Sequence, residues 1–182
     1  MTTEQINRLL SEGAFPEKTS QQKLIETHIS WVILCDEFVY KIKKPVQYSF
    51  LDFSTLELRR FYCEIEIKLN KRLSDHVYLE VSTIREHQHK IIIGGDKGTI
   101  IDYAVKMNKL DTEKQTDQLL LQHQVTEENI KRLAEKIASF HKNTNIIYQK
   151  DLQDIREKFN DLKAEKKIPG RNTWLLLWHD DR

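Results

Sequence analysis

The chain has 182 residues, with 29 Lys and Arg against 28 Asp and Glu and a net charge of +1. That length holds one ordinary domain, or one and a half small lobes, and excludes two full-sized domains; the charge balance excludes a global field that would draw the chain to nucleic acid or an anionic membrane. No apolar run approaches the roughly 18 residues of a membrane span, and the opening stretch Met1–Leu10 lacks the basic-then-apolar pattern of a signal peptide, so no membrane partner and a soluble, cytoplasmic protein are expected.

Thr2 and Gln5 have capping-box spacing, and Ile6, Leu9 and Leu10 follow at helical intervals before Gly13 and Pro16, which predicts one short leading helix. Lys23 to Lys43 has β-type texture. Its runs Leu24-Ile25, Ile29–Leu34 and Phe38–Ile42, broken at Asp36-Glu37, predict two strands joined by a two-residue turn and preceded by a third. Cys35 and Cys63 are far apart and belong to no C-x-x-C, so both are expected as small apolar core residues.

Ser54-Thr55-Leu56-Glu57 reads as a capping box opening a long helix, with Leu58, Phe61/Tyr62, Ile65, Leu69 and Leu73 as its apolar face against the sheet. Val77 to Ile84 alternates as a strand with one buried and one wet face. Ile91–Ile93 and Thr99–Ile101 flank Gly94-Gly95-Asp96-Lys97-Gly98, which predicts a hairpin turn; its Lys precedes the last glycine, so it departs from the phosphate-loop pattern G-x-x-x-x-G-K-S/T. From Leu110 the chain turns helical. Thr126 is the expected N-cap of a helix with Ile130, Leu133, Ala134, Ile137 and Phe140 on one face, and a lobe boundary is placed so that residues 1–108 and 109–182 separate. The apolar run Trp174–Trp178 needs a partner surface, which makes self-association an expectation. His87 with His89, and His179 with Asp180 and Asp181, lack further ligands at recognisable spacing, so no metal site is assigned to them.

On a strand, Val39, Lys41 and Lys43 share one face and Phe38, Tyr40 and Ile42 the other. A small apolar residue two before a Lys, on a strand followed by a Glu-bearing helix, is the arrangement by which kinase-like folds pack adenine and bind nucleotide phosphates. Centring the helix on Leu69 puts Glu66 about 60° away, on the rim of the buried face, and Glu64 about 140° away, so Glu66 is the expected partner of Lys41. The wider pattern supports no basic stripe for nucleic acid around Lys41, Lys43 and Lys44.

The segments Ile25–Val32, Val39–Val46, Leu51–Glu57, Arg59–Glu64 and Leu69-Asn70 closely resemble an uncharacterised bacterial family related to aminoglycoside phosphotransferases, and Tyr103–Met107 and Ile137–His141 resemble its later segments. The resemblance covers roughly residues 22 to 143. It implies an α+β protein-kinase-like N-terminal lobe, a small mostly antiparallel sheet with one long helix, followed by a truncated α-helical lobe. It also implies ATP, with Mg, as cofactor, and Val39, Lys41, Glu66 and Met107 as nucleotide-binding residues. Two features depart from the family. The Glu26–Ser30 loop has no glycine, leaving Thr27, His28 and Ser30 to offer side-chain contacts. The H-G-D-x-x-x-x-N catalytic loop and the later metal-binding Asp are absent, so no catalytic residue is assigned. The expected function is the ATP-binding portion of a small-molecule kinase, catalytically incomplete as it stands; the alternative is a non-catalytic nucleotide-binding or protein-interaction module.

Overall fold

A computed structural model describes residues 1–144, which form one compact unit. The expectations for Trp174–Trp178 and for His179, Asp180 and Asp181 lie outside the described residues. Helix α1 (Thr3–Glu12) is closed at its start by the Thr2/Gln5 capping box. The strands β1 (Lys23–Glu26), β2 (Ser30–Leu34), β3 (Phe38–Lys43), β6 (Tyr78–His87), β7 (Lys90–Ile93) and β8 (Thr99–Asn108) form one sheet in the order β1-β2-β3-β8-β6-β7, every neighbouring pair antiparallel. A small ribbon, β4 (Gln47–Tyr48) with β5 (Leu51–Asp52), leads into α2 (Leu56–Lys71). A 3-10 turn (Thr112–Lys114), α3 (Thr116–Leu121) and α4 (Glu127–Lys142) complete the described chain. The architecture is α+β, and no described helix is long and apolar enough to cross a membrane.

Alternation puts successive side chains of a strand on opposite faces of the sheet. One sheet face carries Trp31, Ile33, Tyr40, Ile42, Ile84 and Ala104, which bury together with Ile6 and Leu9 of α1 and form the main core. α1 covers β7, and the exposed edge of that strand is occupied by Ala14, whose N–H donates to the Ile91 carbonyl (3.0 Å) and whose carbonyl accepts from Ile93 (2.9 Å). The opposite face meets α2 over β6 and β8. α2 meets one face of β6, and Ser82 and Ile84 are buried on the other, which corrects the expectation of one wet face. Cys35 and Cys63 are both buried and unbridged.

Three further expectations change. The Gly94–Gly98 segment is no hairpin turn, because β7 and β8 are separated by β6, with which both pair. The tight turn falls instead at Gln88-His89, where both residues take left-handed φ values of 49° and 65°, a conformation their sequence does not advertise. The glycine loop then carries the chain across β6: Gly98 (φ 89°) lies so close that an added Cβ would sit 2.5 Å from the Glu86 carbonyl oxygen. The N-cap of α2 is Thr55, one residue after the expected Ser54, and its hydroxyl accepts from Leu58 N–H at 3.2 Å. The buried face of α2 centres on Arg59 and Cys63, whereas Phe61, Leu69 and Leu73 are exposed. Charge anchors, rather than the leucine stripe, orient this helix.

α4 begins at the expected Thr126, in a capping box with Asn129. On its apolar face Ile130, Leu133 and Ile137 are about half exposed in the described chain.

Candidate functional site

The site begins with the alternation of β3. Val39, Lys41 and Lys43 point to the α2 side; their cross-strand partners are Leu34, Val32 and Ser30 on β2, and Met107 and Val105 face Val39 and Lys41 on β8. Val39 is buried and Met107 half-buried, so the pair makes a small apolar surface where β8 is about to end. Beyond it, Lys109 ties the departing chain back, its N–H donating to the Glu37 carbonyl (2.8 Å) and its Nζ to the Cys35 carbonyl (2.9 Å).

α2 brings Glu66 to the two lysines. Its Oε1 accepts from Lys41 Nζ at 2.8 Å and its Oε2 from Lys43 Nζ at 2.6 Å. The side chains differ in burial: Lys43 is 5% exposed, Glu66 12% and Lys41 31%. Lys43 Nζ also lies 4.9 Å from the centre of the Phe53 ring, a cation–π contact that holds it inward. Glu64 faces outward in a surface pair with Arg60 (2.9 Å). Burial pushes the Glu66 pKa up, but the hydrogen bonds and charges of the two lysines outweigh it and hold the carboxyl below its ordinary range. Two ammonium groups on one carboxylate leave a surplus positive charge on this face, and the more exposed of the two carries it to solvent.

A second anchor fixes the start of α2. Arg59 Nε donates to the fully buried Asp102 at 2.8 Å, and its Nη1 donates to the carbonyls of Phe53 (3.0 Å) and Ser54 (3.1 Å). The chain's amino group at Met1 also meets Asp102. Seven residues separate Arg59 from Glu66, two turns or about 10 Å along one helix face, so the two ionic contacts together set the rotation and tilt of α2. Between them Cys63 is fully buried, and desolvation pushes its thiol up to about 12, which makes it an inert filler.

The loop preceding β2 closes on itself. Thr27 Oγ1 accepts from Ser30 N–H (3.0 Å) and donates to the Ser30 carbonyl (3.0 Å), so the threonine hydroxyl is consumed within the turn. Ser30 Oγ, by contrast, is buried on the Lys43 side of the sheet with no hydrogen-bond partner among the described residues. Lys44 is held by Glu26 at 2.5 Å and lies over the Trp31 ring.

Of the residues singled out from sequence, Val39, Lys41, Glu66 and Met107 thus come together on one face. Lys43 and its bond to Glu66 were missed, although the strand alternation already placed Lys43 beside Lys41. The Arg59–Asp102 pair had no local signal, since the partners are brought together only by the packing of α2 on β8.

No family model matches the chain, and no solved structure does. It is similar to uncharacterised proteins of Mycobacterium bovis and Mycobacterium tuberculosis, 26% identical over 144 residues. The matched segment is 77% of this chain but 27% of each relative, so the chain spans about a quarter of the length of the curated relatives it matches.

Proposed function

We propose that the described residues form the nucleotide-binding lobe of a kinase-like phosphotransferase of the aminoglycoside phosphotransferase type, and that the ligand is ATP with Mg. The observation that carries this reading is the 2.8 Å contact between Lys41 of the third strand and Glu66 of the helix that follows, with Val39 two residues before the lysine and Met107 opposite Val39. In this reading Val39 and Met107 pack against the adenine ring, and Lys41 reaches the phosphates while Glu66 orients it. Ser30 Oγ, buried and unpartnered, adds a donor on the same side of the sheet. The elements follow the same logic: an antiparallel sheet, one helix inserted after β3, and a helical segment after β8. Calorimetric titration of the 182-residue chain with MgATP tests the proposal. Saturable binding, weakened at least about tenfold by Lys41→Ala through loss of a charge-assisted contact, is expected. No heat and no saturation at millimolar MgATP would overturn it.

A second reading, an interaction module without nucleotide, is favoured by one observation, the half-exposed row Ile130, Leu133 and Ile137 on α4. It predicts that the same titration is blank.

A further inference from the structure

Glu66 is shared by two lysines that differ in burial, and the difference divides their work. Lys43 is almost entirely enclosed, with its ammonium against Phe53 and on Glu66 Oε2. Lys41 is bound to the other oxygen but nearly a third of its side chain is exposed. A lysine that engages a phosphate must leave its carboxylate at least in part, and a buried carboxylate abandoned by its sole cation is strongly unfavourable. With a second cation in place that cost disappears.

We propose that Lys43 is the fixed counter-ion of Glu66, a positioning residue that lets Lys41 exchange the carboxylate for a nucleotide phosphate. The proposal rests on the nucleotide-binding reading for its consequence, but the division of roles is a property of the unliganded chain. Among the described residues, the charged groups bonded to Glu66 are Lys41 and Lys43 from β3. Arg59, on the same helix face, is engaged by Asp102 and supplies no substitute. Without Lys43, Lys41 becomes the only cation for Glu66, and nucleotide binding then requires the carboxyl either to stand unpaired or to take up a proton.

The test combines a titration with a rescue, in the 182-residue chain. The Glu66 side-chain carboxyl is followed by carbon-13 NMR in the parent, Lys41→Met, Lys43→Met and Lys43→Arg. Lys43→Met is expected to raise the Glu66 pKa more than Lys41→Met does, and Lys43→Arg to keep it low; a larger rise in Lys41→Met would overturn the proposal whether or not nucleotide binds. With MgATP, Lys43→Met is expected to bind at least about tenfold more weakly than the parent at pH 7.5 and to recover part of the loss at pH 6, while the parent changes less over the same interval. Adding Glu66→Gln to Lys43→Met is expected to recover part of the lost binding, because it removes the charge that traps Lys41 while giving up the orientation that Glu66 supplies. A purely structural role for Lys43 would leave the double variant as weak as the single one and would overturn the proposal. Absence of MgATP binding in the parent would overturn the nucleotide reading alone, and the carboxyl titration would still decide the role of Lys43.

Discussion

Glu66 contributes to stability as well as to the site, and the sign of its pH dependence follows from its pKa. The carboxyl sits below its ordinary value of 4.5 in the folded chain because two ammonium groups outweigh its burial. A depressed folded pKa means that the contribution is fully present above the unfolded value and is lost as pH falls through the folded one. Glu66→Gln should therefore be less stable at pH 7, by about 2 kcal/mol for a buried charge-assisted contact, and its melting temperature should fall less steeply than the parent's below pH 4.5. Circular-dichroism melts from pH 7 to pH 3 measure both. Comparison with the parent cancels the surface carboxylates Glu26, Asp36 and Asp52, which are also held low by their own hydrogen-bond partners. Parallel melting curves for the two proteins would show that the pair does not persist in solution.

At the scale of elements, the connection from β7 to β8 is the least expected piece of the fold. Five residues, Gly94 to Gly98, carry the chain past β6, and the crossing is tied by Gly94 N–H to the Thr83 carbonyl (2.7 Å) and Arg85 Nη1 to the Gly98 carbonyl (3.0 Å). Gly95 and Gly98 both have positive φ, 68° and 89°, but only Gly98 is pressed against β6. Gly95→Ala should cost about 1 kcal/mol, the conformational penalty alone. Gly98→Ala should cost about 3 kcal/mol, since a methyl group cannot fit against the Glu86 carbonyl unless the strand moves. Urea unfolding of the two variants separates them. Equal losses would mean that the loop does not cross β6 as described. α2 exposes Leu69 because two ionic anchors on the Arg59–Glu66 face hold the helix against the sheet, and the leucine falls to one side.

For the whole molecule, the proposed nucleotide binding separates from catalysis. Phosphoryl transfer depends on positioning the acceptor and on stabilising charge with metal ions, and the residues that do this in kinase-like folds, the H-G-D-x-x-x-x-N loop and a later Asp, are not in the 182-residue sequence. On the proposed reading, the chain by itself binds MgATP without turning it over at enzymatic rates. A phosphate-release assay checks this, and robust Mg-dependent turnover abolished by Lys41→Ala would contradict it. The mycobacterial relatives are nearly four times as long as the segment they share with the chain.

Local elements were legible in the amino-acid order: the capping box at Thr2, the N-cap at Thr126, the strands around Trp31 and Tyr40, the long helix to within one residue of its start, and the face that unites Val39, Lys41 and Lys43. These are short-range matters of side-chain period and terminal hydrogen bonding, which a linear reading can follow. It also selected Glu66 over Glu64, but from a helix face centred on Leu69. The packed face centres near Cys63, and Glu66 survives the change because it stands about 60° from either residue. Three features emerge only from packing: β6 lies between β7 and β8, Lys43 shares Glu66, and Arg59 meets Asp102 across 43 residues of chain. Strand order and buried ion pairing depend on which surfaces meet once the chain has closed on itself. Hydrophobic period cannot report them, because a charge enters the interior only where a distant partner is already waiting for it.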